Sequence, residues 1–327
     1  MRARIGLDGM DRPGRQLLRT LVDRDDPDLQ IVAVRDDAPA SRLAARLRHD
    51  STHGAWDHRI EVVGDHLGVD DGTIRVLRAE RPHWPSADVE IVVATGRAVD
   101  APVLLDEGVA SVVVLGESAD ADLALVPGLN EDEYDATRHR VLSVPSAAAV
   151  CAAAVLQPLD RAFGVVSASV TALGGRHSST ADPDDPRLLR DLAVNLVPAA
   201  SRVGTEVGVL LPALEGRVTG AALRVPVVDT GLVEVTARLP APATVGQLRR
   251  VLRTAADGPG KGLLTSTDEP TVSRDVLGAA ESCRVDLGTV RSCGELVVVQ
   301  GWHDPEVGHL HRVADLLGMV ARLLPGR

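Results

Sequence analysis

Apolar and polar positions alternate or cluster along the chain in a way that predicts a run of strands and helices. Residues 2–7 alternate as a short strand, 16–22 form an amphipathic helix, and 31–34 (Ile-Val-Ala-Val) are a continuous apolar strand ending at Arg35-Asp36. Residues 61–77 read as antiparallel strands around the turn Asp70-Asp71-Gly72, and 89–97 and 111–117 are further core strands. A short strand at 140–142 leads through Val144-Pro145-Ser146 into an alanine-rich helix. Beyond it, strands are expected at 165–173, 233–239 and 296–299, and Thr244 should cap a helix running to Ala256. The last helix, 307–324, carries Leu310, Val313, Leu316, Leu317, Val320 and Leu324 at helical spacing.

The opening order of strand, glycine turn, helix, strand and acid is, in outline, a dinucleotide-binding unit. At 327 residues, 45% of them hydrophobic, the chain can bury a large core and should form two domains. A net charge of −11 argues against nucleic acid as a main partner, and no apolar run approaches the ~20 residues that span a bilayer. A soluble, cytoplasmic protein is expected. Cys151, Cys283 and Cys293 show no metal-ligand spacing, and His53 stands without a second ligand pair at helical or hairpin spacing, so no metal is expected.

Several segments carry a resemblance. Residues 6–15 read G-L-D-G-M-D-R-P-G-R, 50–54 D-S-T-H-G, 219–226 T-G-A-A-L-R-V-P and 302–306 W-H-D-P-E. Together with the order of strands, these make the chain resemble the phosphorylating glyceraldehyde-3-phosphate dehydrogenase family along nearly its whole length. The resemblance implies an α/β plus α+β architecture. A Rossmann-like parallel-sheet domain would span residues 1–146, joined by the C-terminal helix 307–327, and a second domain with a mixed or antiparallel sheet would span 147–306.

The same resemblance implies that residues central to the family's chemistry differ here. Ala147 stands where the family has its cysteine nucleophile, Gly174 where it has its histidine base, and Leu115 and Pro305 where it holds the nicotinamide. A methyl group cannot form a thiohemiacetal, so the family's covalent chemistry is expected to be missing. In the glycine turn, Asp11 replaces the glycine that approaches the pyrophosphate, Asp8 adds a second carboxylate, and Pro13 removes an N–H. Two carboxylates near a pyrophosphate would each cost on the order of 1 kcal/mol. No cofactor is therefore expected, with NAD binding weak or absent and Gly9, Arg12, Gly14, Asp36 and Thr95 left as relic positions.

The candidates that remain are Arg224, Arg202, Ser146 and Ser201 for an anionic substrate, with His177 and Cys151 as weak catalytic candidates. The leading expectation is a cleft repurposed to bind or convert an anionic small molecule without redox, in specialised metabolism. The alternatives are a pseudoenzyme acting through a protein partner or hetero-oligomer, and a residual NAD-dependent oxidoreductase. A homo-oligomer, tetramer or dimer, is expected, although the acidic, proline-rich loop 178–190 alters the segment that the family uses between subunits.

Overall fold

The computed structural model of the chain describes residues 2–78, 82–96, 100–175 and 194–324. These fall into two compact units. The first comprises 1–125, 133–144 and 313–327; the second comprises 126–132 and 145–312. The chain thus passes between units at 144/145, two residues before the boundary expected from the sequence, and the last helix changes unit at Val313.

In the first unit, a sheet runs in the order Leu123–Ala124, Val141–Val144, Ser111–Leu115, Ile91–Ala94, Ala3–Asp8, Leu29–Arg35, Gly72–Leu77, His66–Val69, Ile60–Val63. The pairs are parallel up to Gly72–Leu77 and antiparallel beyond it. Strands such as Ile91–Ala94 are buried at every position, as a parallel sheet covered on both faces requires. Helix α1 (Arg12–Arg24) starts four residues earlier than its apolar spacing suggests. Asp11 caps it and Pro13 sits in its first turn, where a missing N–H costs nothing. Helices α2 (Ala40–Arg48) and α3 (Ala101–Asp106) complete the set up to the crossover.

The second unit is built on helix α4 (Ala147–Phe163). Every side chain from Ala149 to Leu156 is buried. Five of those eight are alanine or cysteine, and small side chains let strands approach closely. A Cβ on Gly301 would lie 2.7 Å from the Cys283 sulfur and 3.0 Å from that of Cys151. α4 packs on the strands Gly231–Arg238 and Leu296–His303 and against α5 (Val203–Leu210) and α6 (Val245–Asp257). The sheet beneath runs Val197–Ala199, Val218–Arg224, Ser167–Gly174, Gly231–Arg238, Leu296–His303, Cys283–Asp286, Leu264–Thr267, mixing parallel and antiparallel pairs. Thr244 caps α6 with a complete capping box to Gln247. Asp304 accepts from the N–H groups of Glu306 and Val307, each at 2.8 Å, at the start of α7 (Val307–Leu323). No described helix is long and apolar enough to cross a membrane.

One buried group makes this unit sensitive to acid. His303 ends its strand opposite Gly231, whose missing side chain leaves the space the imidazole fills: a Cβ there would lie 2.4 Å from the ring. The ring is 4% exposed and its Nδ1 has no hydrogen-bond partner among the described residues. Burial, with His309 nearby, lowers its pKa from 6.5 to about 4. The unfolded chain therefore binds the proton first, and stability is lost as pH falls from about 6.5 toward about 4, by up to ~3 kcal/mol for this group. The His303→Phe variant should lose clearly less stability than wild type over that interval in urea titrations; parallel curves for the two proteins would contradict the assignment.

Candidate functional site

The glycine turn of the first unit is set by contacts that tolerate no side chain. Gly9 has φ of +120°, and a Cβ on Gly14 would stand 2.0 Å from the Gly9 carbonyl oxygen, so α1 begins hard against the end of the strand Ala3–Asp8. Thr95, buried after the strand Ile91–Ala94, donates its hydroxyl to the Gly9 carbonyl at 2.8 Å. Asp36 follows the strand Leu29–Arg35, and its carboxylate accepts from the Ala38 N–H at 2.7 Å. Arg12 is ion-paired with Asp50 at 3.2 Å. Asp50 opens the D-S-T-H-G segment and also accepts from Gln16 and from the N–H groups of Thr52 and His53. Partial burial pushes that carboxyl up, but the two backbone donors and Arg12 more than offset it, so Asp50 titrates below its ordinary range.

The two carboxylates of the turn are not equivalent. Asp8 pairs with Arg35 across adjacent strand ends, and both side chains are nearly buried, at 8% and 6% exposure. Asp11 is an exposed residue, yet its carboxylate accepts from the Gly14 N–H at 3.3 Å and from the Thr95 hydroxyl at 3.3 Å. It also lies over Gly96, where a Cβ would meet Oδ2 at 2.2 Å. The loss of water there pushes its carboxyl above the ordinary carboxylate range, against the pull of Gly14, Thr95 and Arg15.

In the second unit, Ala147 is the first residue of α4 and Ser146 is its cap, accepting from the Ala149 N–H at 3.3 Å. Glu206, in the first turn of α5, holds Ser146 twice. Its carboxylate accepts from the Ser146 N–H at 3.2 Å and from the hydroxyl at 2.5 Å. Ser146 is thus committed to fixing the start of α4. Arg224 ends the strand Val218–Arg224, is 7% exposed, and stands in register with Gly174 on one side and Val197 on the other. Burial lowers its pKa. Arg202 is exposed immediately before α5, and Ser201 accepts from the Val203 N–H at 3.4 Å, a turn contact. A Cβ on Gly175 would stand 2.9 Å from the Asp229 N, so the backbone just beyond Gly174 is pressed against the segment that follows Arg224.

Cys151 is fully buried in α4. Burial, with Cys283 beside it, pushes its thiol well above the usual range, which keeps it protonated and inert. His177 lies outside the described residues, as does the loop 178–190. Sequence reading did not identify Arg35 and Glu206 as the groups that hold Asp8 and Ser146. A signal for the first was present, since Arg35 ends the strand next to that of Asp8.

Residues 3–101 match the family model described as glyceraldehyde 3-phosphate dehydrogenase, NAD binding domain, and residues 146–305 match the corresponding C-terminal domain. The chain is 34% identical to glyceraldehyde-3-phosphate dehydrogenase of Geobacillus stearothermophilus over 337 aligned residues, which cover 98% of this chain and 99% of that protein. Identity is also 34%, with the same coverage, to glyceraldehyde-3-phosphate dehydrogenase 1 of Bacillus subtilis. It is 33% to glyceraldehyde-3-phosphate dehydrogenase 2 of Streptomyces arenae, over 99% of this chain and 100% of that protein.

These matches overturn the expectation that no cofactor is used, because the first unit is an NAD-binding domain by its family model. The structure supplies the physical reason. The electrostatic objection counted Asp8 and Asp11 as two bare charges, but Asp8 is compensated by the Arg35 guanidinium and Asp11 serves as the cap of α1. The cradle itself, with Gly9, Gly14 and Thr95 in close contact, fits the backbone approach that a dinucleotide needs.

Removing Arg35 would leave Asp8 buried and unpaired. Arg35→Met is expected to destabilise the protein by about 3–5 kcal/mol, and the Asp8→Asn/Arg35→Met pair to recover most of that loss. Chemical denaturation of the three variants measures this, and equal stabilities for the single and double variants would refute it.

Proposed function

Because the chain belongs to the glyceraldehyde-3-phosphate dehydrogenase family, we propose that it joins an NAD-binding unit to a second unit that holds an anionic small molecule without the family's covalent thiol chemistry. The observation that carries this reading is the start of α4. Ala147 occupies its first position, where a nucleophile would gain from the free helical N–H groups, and Ser146 beside it is tied to Glu206. The other described cysteines offer no substitute at that point: Cys151 and Cys283 are buried, and Cys293 lies on the strand Arg291–Cys293.

In this reading Gly9 and Gly14 admit the pyrophosphate to the turn, Arg12 and Thr95 frame it, and Asp36 stands at the strand end beyond it. NAD, when bound, supplies a hydride acceptor. Arg224 is the anchor for the anion. A guanidinium already desolvated by its strand neighbours loses little water on meeting an anion, and the pairing is strong in such surroundings. Gly174, its register partner, brings no side chain of its own to that position. Arg202 and Ser201 lie in the segment leading into α5 and add a second cation and a hydroxyl. Family membership also favours a homo-oligomer.

Two measurements test this. With glyceraldehyde 3-phosphate, NAD and inorganic phosphate, the wild type should form no NADH above background and no covalent adduct by mass spectrometry; either product would overturn the reading. Inorganic phosphate should raise the melting temperature, and Arg224→Ala should weaken that binding by roughly ten- to a hundredfold, the cost of one charge-assisted contact.

The turn makes a separate forecast for the cofactor. A pyrophosphate beside Asp11 favours the protonated carboxyl, so NAD affinity should rise as pH is lowered toward the raised range of that carboxyl. The residues facing that carboxyl are Gly14, Thr95 and Arg15, of which only Arg15 carries charge. Asp11→Asn should bind NAD more tightly above that range and lose most of the pH dependence. Calorimetry that finds the same pH slope in both proteins would remove Asp11 from this role.

A further inference from the structure

Helix α4 contains Pro158 five residues before its end, which has no N–H to give the carbonyl of Ala154 and whose ring crowds that carbonyl. Both residues line a cavity of about 400 Å³ in the second unit. The facing wall comes from α6 and the turn after it, through Val251, Ala255, Leu263 and Leu264. The volume falls within the range of small-molecule sites, and the walls are mainly hydrocarbon.

Two arginines line the same cavity, Arg161 from α4 and Arg250 from α6. Both are exposed, and among the described residues neither makes a hydrogen bond or an ion pair. By contrast, Arg253 on the same helix as Arg250 is bound to Asp268. In a chain of net charge −11, acidic partners are abundant, yet these two guanidiniums both line one apolar cavity without an ion pair among the described residues. Thr254 adds a hydroxyl to the lining.

We propose that this cavity binds an amphipathic carboxylate, with its hydrocarbon body between α4 and α6 and its carboxylate between Arg161 and Arg250. The apolar walls reward a hydrocarbon that displaces water, which a bare inorganic anion cannot do. The paired guanidiniums reward a carboxylate over an uncharged head group of the same length, since charge-assisted hydrogen bonds are the stronger kind. The site is separate from Arg224, and its occupancy does not depend on the function proposed above.

Isothermal titration of the full chain with decanoate, decanol, acetate and inorganic phosphate tests the assignment. Decanoate should bind with one site per chain, decanol roughly tenfold more weakly, and acetate and phosphate should fail to displace it. Arg161→Ala/Arg250→Ala should weaken decanoate roughly tenfold or more. Ala162→Trp, which fills the cavity from an exposed position, should abolish binding at an unchanged melting temperature. The proposal is overturned if decanoate does not bind, if neither variant affects it, or if phosphate competes equally. Binding of an acidic helical peptide that decanoate cannot displace would likewise overturn it, by assigning the groove to a protein partner.

Discussion

The ion pair between Asp8 and Arg35 governs the geometry of the first unit's open end. It joins the last residues of two neighbouring parallel strands, both nearly out of water, so neither charge can be left without the other. Their register opposite one another places Gly9 at the sheet edge with φ of +120°. From there the chain can only turn back closely enough for Gly14 to meet the Gly9 carbonyl if both positions lack a side chain. α1 therefore starts at Arg12, and Arg12 and Gln16 on its first turns reach Asp50. The D-S-T-H-G segment is in this way tied to the glycine turn through one carboxylate.

The second unit solves a related problem with packing. α4 is buried along its middle, and a buried helix start needs its orphan N–H groups satisfied. Ser146 supplies the cap, and Glu206 on α5 fixes Ser146 in turn. The small side chains of α4 let the two central strands lie against it, with the sulfurs of Cys151 and Cys283 meeting over Gly301. These thiols are consequently core groups. The same close packing accounts for the buried imidazole of His303 over Gly231: a polar ring held where its charged form has no water and no acid.

What could be read from the sequence divides along physical lines. Continuous apolar runs such as 31–34 and 91–94 signal buried parallel strands because burial on both faces leaves no polar alternation, and the structure has strands there. Capping signals were also local and legible, Thr244 with Gln247 being the clearest. The start of α1 was placed too late because apolar spacing begins at Leu17, whereas the cap at Asp11 and Pro13 set the true boundary. The pairing of Ser146 with Glu206, 60 positions apart, has no local signal, and that of Asp8 with Arg35, 27 apart, shows only in their shared place at the ends of neighbouring strands. The expectation of no cofactor treats Asp8 as a bare charge, whereas its compensating cation ends the next strand.

Asp8 and Asp11 show why residue type alone cannot score such a turn. Both are carboxylates within three residues of Gly9, and both would repel a pyrophosphate if bare. Asp8 carries its neutralising guanidinium with it, so its field at the turn is that of a dipole and falls off steeply. Asp11 has no such ion pair; it rests on the neutral Gly14 N–H, Thr95 hydroxyl and face of Gly96, with Arg15 the charged group that pulls on it. Those groups can release it without leaving a buried charge behind, because Asp11 is exposed and can turn to water or take up a proton. The Gly14 N–H on which it rests is one of the free donors of a helix start, the kind of group that attracts anions.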